Sequence, residues 1–163
     1  MSGLEITSNS PFETEELGGL LGHFLSAGSF VALRGGLGGG KTCFTRGIVA
    51  AVAPQDAHKV SSPTFAIMNS YVGDTPVYHF DFYRLAGDND IAELGFDDYF
   101  YGDGVCVIEW SERISELLPD DYITVRFEYK GENQRVITLN SCGSKSINIL
   151  EQLVKQRTSY NFL

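Results

Sequence analysis

Several things are scarce in this 163-residue sequence, and each shortage closes off a class of protein. The three cysteines, Cys43, Cys106 and Cys142, are odd in number and widely spaced. They form neither a CxxC zinc half-site nor a disulfide framework, so reduced thiols are expected. No apolar run approaches the ~20 residues that a membrane-spanning helix needs, so no membrane partner is expected. Basic side chains are few: 12 Lys and Arg against 21 Asp and Glu, a formal charge of -9. Tight independent binding to DNA or RNA needs a basic surface, so any RNA in this protein's work is expected to be held by another protein. The N-terminus, "MSGLEITSNSPFETEE", has no basic start and no apolar centre of a secretory signal, which makes the cytoplasm the expected compartment. His23, His58 and His79 show no metal-ligand spacing and are assigned no chemistry. There is no internal repeat and no low-complexity tract.

What the sequence does have is ordinary globular composition, 43% hydrophobic and 20% charged, in a length that suits one domain, residues 1–163. Its segments alternate between helical and strand patterns. In 1–28, "SPFETEELGGLLGHFLSAG" reads as a helix with Ser10 as N-cap, Pro11 at its first position and Glu13 closing a capping box. Leu17, Leu20, Leu21, Phe24 and Leu25 form its apolar stripe, and it is expected to end near Gly28. In 29–53, "SFVALR" is a buried strand and "KTCFTRGIVAAVA" a helix stopped by Pro54. In 60–129, "TFAIMNSYV" and "VYHFDFYRL" read as antiparallel strands around the turn "GDTP", "DNDIAELGFDDYFY" as mostly helical, and "GVCVIEW" as a buried strand. "DYITVRFEYK" and "QRVITLN" form a hairpin, and "KSINILEQLVKQR" closes 130–163 as a helix. The expected fold is α/β: a three-layer α/β/α sandwich of the P-loop NTPase type with a mixed parallel and antiparallel central sheet.

Glycine is the one residue in local excess, with five in the eight positions from Gly35 to Thr42. Gly35-x-x-x-x-Gly40-Lys41-Thr42 matches G-x-x-x-x-G-K-[ST], the phosphate-binding loop. Its amides curl inward around a β-phosphate and the following helix adds the positive end of its dipole. Lys41 then reaches the β- and γ-phosphates and the Thr42 hydroxyl binds Mg²⁺. The nucleotide-binding set is therefore Gly36, Leu37, Gly38, Gly39, Gly40, Lys41, Thr42 and Cys43. Glu109 and Asp81 end apolar strands at the rim where such sheets meet their ligands. One carboxylate can hold Mg²⁺ while the other orients the attacking water; the alternative is a pair of solvated strand ends. No N-K-x-D or D-x-x-G string supports a Ras-like GTPase, and no LSGGQ string a transporter ATPase. The arginines are scattered rather than gathered in a kinase lid.

Five strings in order, "GGLGGGKTCFTRG", "SSPTFAIMNSY", "YHFDFYRL", "ELGFDDYF" and "VIEWSE", resemble the TsaE family of bacterial P-loop ATPases needed to make threonylcarbamoyladenosine beside the tRNA anticodon. The resemblance runs from about Phe12 to Tyr129. It implies ATP bound at the loop and ADP as product, Lys41 on the phosphates, Thr42 and Glu109 on Mg²⁺, and Asp81 as a catalytic or metal-linked carboxylate. It further implies a switch-like loop from Ser62 to Phe65, with Thr64 its polar contact to the nucleotide, and docking on the TsaD and TsaB proteins, with tRNA met only through them. Trp110 follows Glu109 as in the family, either as a packing residue or as part of the site. Arg84 serves a partner surface, the phosphates or an ion pair. Departures are mild: Gly39 stands for a usual Ala, Cys43 for Thr, Phe82 for Leu and Ser111 for Pro. Cys43, at a helix N-terminus, has either a lowered thiol pKa or the part of a small buried residue. A small-molecule phosphotransferase and a nucleotide-gated binding module are the competing readings.

Overall fold

The computed structural model describes residues 3–36, 38–63, 65–85 and 93–160. One seven-stranded sheet runs through them in the order β1-β7-β6-β2-β5-β4-β3. The strands are β1 (Leu4–Ser8), β2 (Phe30–Arg34), β3 (Met68–Tyr71), β4 (Val77–Asp81), β5 (Val105–Glu109), β6 (Tyr122–Tyr129) and β7 (Arg135–Cys142). β6, β2, β5 and β4 are mutually parallel, while β1, β7 and β3 add antiparallel flanks. This is the mixed α/β sheet that the alternation of helical and strand patterns leads one to expect.

Helices α1 (Pro11–Gly22), α2 (Lys41–Val52) and α4 (Ser144–Tyr160) surround one large core with Val31, Leu33, Val107 and Val125 of the sheet. Among the described residues the opposite face is covered mainly over β2, β5 and β4, by an aromatic cluster of Phe80, Phe82, Phe96 and Phe100 around the single-turn α3 (Asp97–Phe100). Over β6 and β7, Arg126 and Asn140 on that face are exposed among the described residues.

α1 begins as its sequence dictates. Ser10 accepts from the Glu13 amide at 3.1 Å, Pro11 opens the helix, and the Glu13 carboxylate reaches back to the Asn9 amide at 2.7 Å. Its stop differs: the helix ends at Gly22, not near Gly28, because the chain must tighten into a turn before β2. β1 was not legible in advance, since five residues of weak alternation at an edge carry little periodic signal. β3 is shorter than "TFAIMNSYV", with Ile67 already in the left-handed region at φ 69°. Of "DNDIAELGFDDYFY", 88–92 lie outside the described residues; in the remainder Glu93 is helical and Asp97–Phe100 forms a single helical turn.

α1 and α2 approach closely because glycines face each other's backbones. A Cβ on Gly18 would collide with the Phe44 carbonyl, and one on Gly47 with the Glu15 carbonyl. This contact seats α2, and so fixes the loop that precedes it, against the sheet.

Candidate functional site

The parallel strands β2, β5 and β4 all end on one rim, and the loop joining β2 to α2 lies across it. α2 begins at Lys41 with Gly40 as N-cap in a left-handed conformation, φ 100°, and Gly38 is also left-handed at φ 71°. Glycine takes these angles freely where other residues are strained. Gly40, the N-cap, has no side chain with which to cap α2. The first amides of a helix have no partner within it, so they and the positive end of the helix dipole are left for a ligand.

That helix start opens on a cavity of about 460 Å³ lined by Gly38 to Cys43, Ser62, Asp81, Tyr83, Glu109 and Trp110. Lys41 is 5% exposed and folds back on its own loop, donating to the Gly35 and Gly36 carbonyls at 2.6 and 2.9 Å. Its ammonium also sits 4.2 Å from the centre of the Trp110 ring. Burial lowers its pKa, and the nearby negative charges of Glu109, Glu112 and Asp81 counteract this. A buried ammonium whose hydrogen bonds among the described residues go to two neutral carbonyls is placed to exchange them for an anion.

Glu109 and Asp81 are both 3% exposed. They stand directly opposite one another in the β4–β5 register, on the face that α2 covers. The Thr42 hydroxyl donates to Glu109 Oε1 at 3.2 Å, and Glu109 Oε2 lies 2.5 Å from His79 Nε2. Asp81 accepts from the Ser62 hydroxyl at 2.6 Å and from the Tyr83 amide at 2.8 Å. These carboxylates are thus buried and bonded, not solvated strand ends. Trp110 holds the left-handed conformation at φ 61°, which turns the chain immediately after Glu109 and sets its ring against Lys41 and Tyr83. It both packs and lines the cavity. Ser111 then ties this turn to β2 by donating to the Leu33 carbonyl at 3.0 Å.

The structure brings Gly38, Gly39, Gly40, Lys41, Thr42, Cys43, Asp81 and Glu109 to one cavity, with Gly36 in contact with Lys41. Leu37 and Thr64 lie outside the described residues. Burial raises the Cys43 thiol pKa, with Arg46 only partly offsetting this, which favours the packed small residue over a lowered thiol pKa. Arg84 is exposed and stacks on Phe65, its guanidinium 4.5 Å from the ring centre. Two further residues also reach the site. Arg135, in the β6–β7 hairpin, donates to the Gly38 carbonyl at 2.8 Å and braces the loop from outside. His79 holds Glu109, and one signal was available for it: it stands two residues before Asp81 and so shares its face.

A family model described as "Threonylcarbamoyl adenosine biosynthesis protein TsaE" matches residues 8–137. The tRNA threonylcarbamoyladenosine biosynthesis protein TsaE of Treponema pallidum is 38% identical over 136 residues, 83% of this chain and 99% of that protein. The protein of the same name from Bacillus subtilis is 35% identical over 154 residues, 94% of this chain and 95% of its own. The crystal structure of Bacillus subtilis YdiB superimposes with a TM-score of 0.78 at 31% identity, covering 95% of this chain and 96% of that one.

Proposed function

The chain belongs to the TsaE family, and from that premise we propose that it is an ATPase supporting threonylcarbamoyladenosine synthesis on tRNA, binding Mg²⁺-ATP at the β2–α2 loop and hydrolysing it when docked on TsaD and TsaB. The observation that carries this reading is the convergence on one cavity of an uncapped helix N-terminus, a buried lysine and two buried carboxylates.

In this reading Lys41 leaves the Gly35 and Gly36 carbonyls for the β- and γ-phosphates, while the amides at the start of α2 hold the β-phosphate. Thr42 and Glu109 would hold Mg²⁺, with Asp81 linked to it through water. The donor set fits: one hydroxyl and two carboxylates are hard oxygen ligands, too few for a complete octahedron, as suits an ion shared with phosphate oxygens and water. Bound there, Mg²⁺ would neutralise phosphate charge as it develops. Asp81, fixed by Ser62 and the Tyr83 amide, orients the attacking water. Trp110 shields Lys41 on one side and keeps solvent from the ammonium.

The acidic charge of -9 supports an indirect relation to tRNA, whose phosphates would be held by the synthase proteins. Phosphate release from Mg²⁺-ATP should be slow for the chain alone, unchanged by tRNA alone, and faster with a purified TsaB–TsaD pair. Equal rates with and without that pair would overturn the docking part of the reading.

A further inference from the structure

His79 is fully buried, beneath α2 in the middle of β4, although an imidazole needs two partners in so apolar a place. Both are present, and the chain of hydrogen bonds through them has a fixed direction. The Ser61 carbonyl can only accept, so the Asn69 amide nitrogen at 3.3 Å is the donor. The same nitrogen lies 3.5 Å from the Tyr71 hydroxyl oxygen and, having only protons to give, donates to it. The Tyr71 proton is left for His79 Nδ1 at 3.3 Å. Nδ1 therefore accepts, and the ring's own proton resides on Nε2, 2.5 Å from Glu109 Oε2. Glu109 thus accepts on both oxygens, from His79 on one and from Thr42 on the other.

This line crosses three strands, β3, β4 and β5, and begins in the segment that also holds Asp81. Ser62, the next residue after Ser61, bonds Asp81 directly. The segment at 61–62 is thereby joined to both carboxylates, to one by a single bond and to the other through Asn69, Tyr71 and His79.

We propose that His79 is a positioning residue: with Tyr71 and Asn69 it fixes Glu109 Oε2 on the protein side, so that Oε1 faces Thr42 and the cavity, and it ties that orientation to the 61–62 segment. This rests on the reading of Glu109 as a Mg²⁺ ligand. A neutral imidazole suffices, and the arrangement is of the kind that orients metal-binding carboxylates elsewhere.

Two measurements test it. The first uses imidazole nitrogen–proton correlation spectra of the nucleotide-free protein, where only His23, His58 and His79 contribute and His79→Gln assigns the signal. The expected result is an Nε2-protonated ring with a slowly exchanging proton, whose Nδ1 shift changes in Tyr71→Phe and whose Nε2 proton moves in Glu109→Gln. An Nδ1-protonated ring, or a signal indifferent to both variants, would overturn the proposal. The second compares ATP affinity with and without Mg²⁺. His79→Leu should lower the Mg²⁺-dependent part about tenfold or more and leave Mg²⁺-free binding unchanged. His79→Gln, which keeps a donor near Oε2, should recover most of it. Tyr71→Phe, which keeps the ring in place, should give a smaller loss in the same direction and serves if His79→Leu does not fold. Wild-type Mg²⁺ dependence in folded His79→Leu or Tyr71→Phe would overturn the positioning role. Absence of any Mg²⁺ effect in the wild type itself would overturn the reading of Glu109, a failure told apart because it appears before any substitution.

Discussion

Lys41 shows how much a single side chain's surroundings decide. Its nearest partners are two carbonyls of its own loop and the face of Trp110, and it is buried enough for its pKa to fall below the ordinary value. Hydrogen bonds to charged groups contribute about 1.5–3 kcal/mol each, so Lys41→Ala should weaken ATP binding roughly tenfold or more, measured by calorimetric titration. Unaltered affinity would separate the lysine from the phosphates. Lys41 and Thr42 were legible in the sequence because the loop motif is local: eight consecutive residues state its geometry. His79 was not, because its role depends on register across three strands. Nor was the behaviour of Cys43, whose thiol pKa is raised first by desolvation, which its position at a helix start does not reveal.

At the scale of elements, the site stands on the contact between α1 and α2. Gly47 lies so close to the Glu15 carbonyl that any Cβ must push the helices apart. Overpacking of this kind costs about 1–3 kcal/mol, and each kcal/mol lowers the melting temperature of a domain this size by about 2–4 °C. Gly47→Ala should therefore melt several degrees lower, and a melting curve matching the wild type would show that the helices can separate freely. A second joint lies at the far end of α2. There Asp56, in the turn Pro54–Lys59, accepts from the Val72 amide at 2.7 Å and pairs with Lys59 at 3.0 Å. The amide bond first, then Lys59, lower its pKa. A lowered carboxylate pKa contributes stability above the unfolded value, near 4, and loses it as pH falls through the folded value. The stability difference between wild type and Asp56→Asn should accordingly shrink as pH drops below about 4, as read from urea unfolding at several pH values. A difference constant with pH would deny the carboxylate that role. The strong elements, β2, α2, β5 and the β6–β7 hairpin, were legible from apolar runs and alternation. β1 and the early end of α1 were not: one is a short edge strand paired only to β7, and the other is ended by a turn at His23 and Phe24 that continues the apolar pattern without continuing the helix.

For the whole molecule, the sheet brings residues distant in sequence to a single rim. Lys41 and Thr42 from the β2–α2 loop, Asp81 from β4 and Glu109 from β5 meet because these strands are parallel neighbours in the order β2-β5-β4. The rest of the molecule supports that meeting point. Arg135 braces the loop from the β6–β7 hairpin, and Ser111 locks the turn after Glu109 to β2. The strand order itself could not be read from residue patterns, since periodicity shows that a segment is a strand but not which strand lies beside it. Family membership adds the pathway named for its relatives, and the geometry supports the proposed nucleotide site. In the proposed account Glu109 serves hydrolysis more than binding, because the α2 amides and Lys41 hold the phosphates without it. The measurement that tests this most directly is phosphate release from Mg²⁺-ATP by the wild type and by Glu109→Ala, each with the TsaB–TsaD pair, alongside nucleotide affinity. The account predicts that the variant still binds ATP, with the Mg²⁺-dependent part of its affinity weakened, and loses the partner-stimulated release. Release from the variant at the wild-type rate would contradict it.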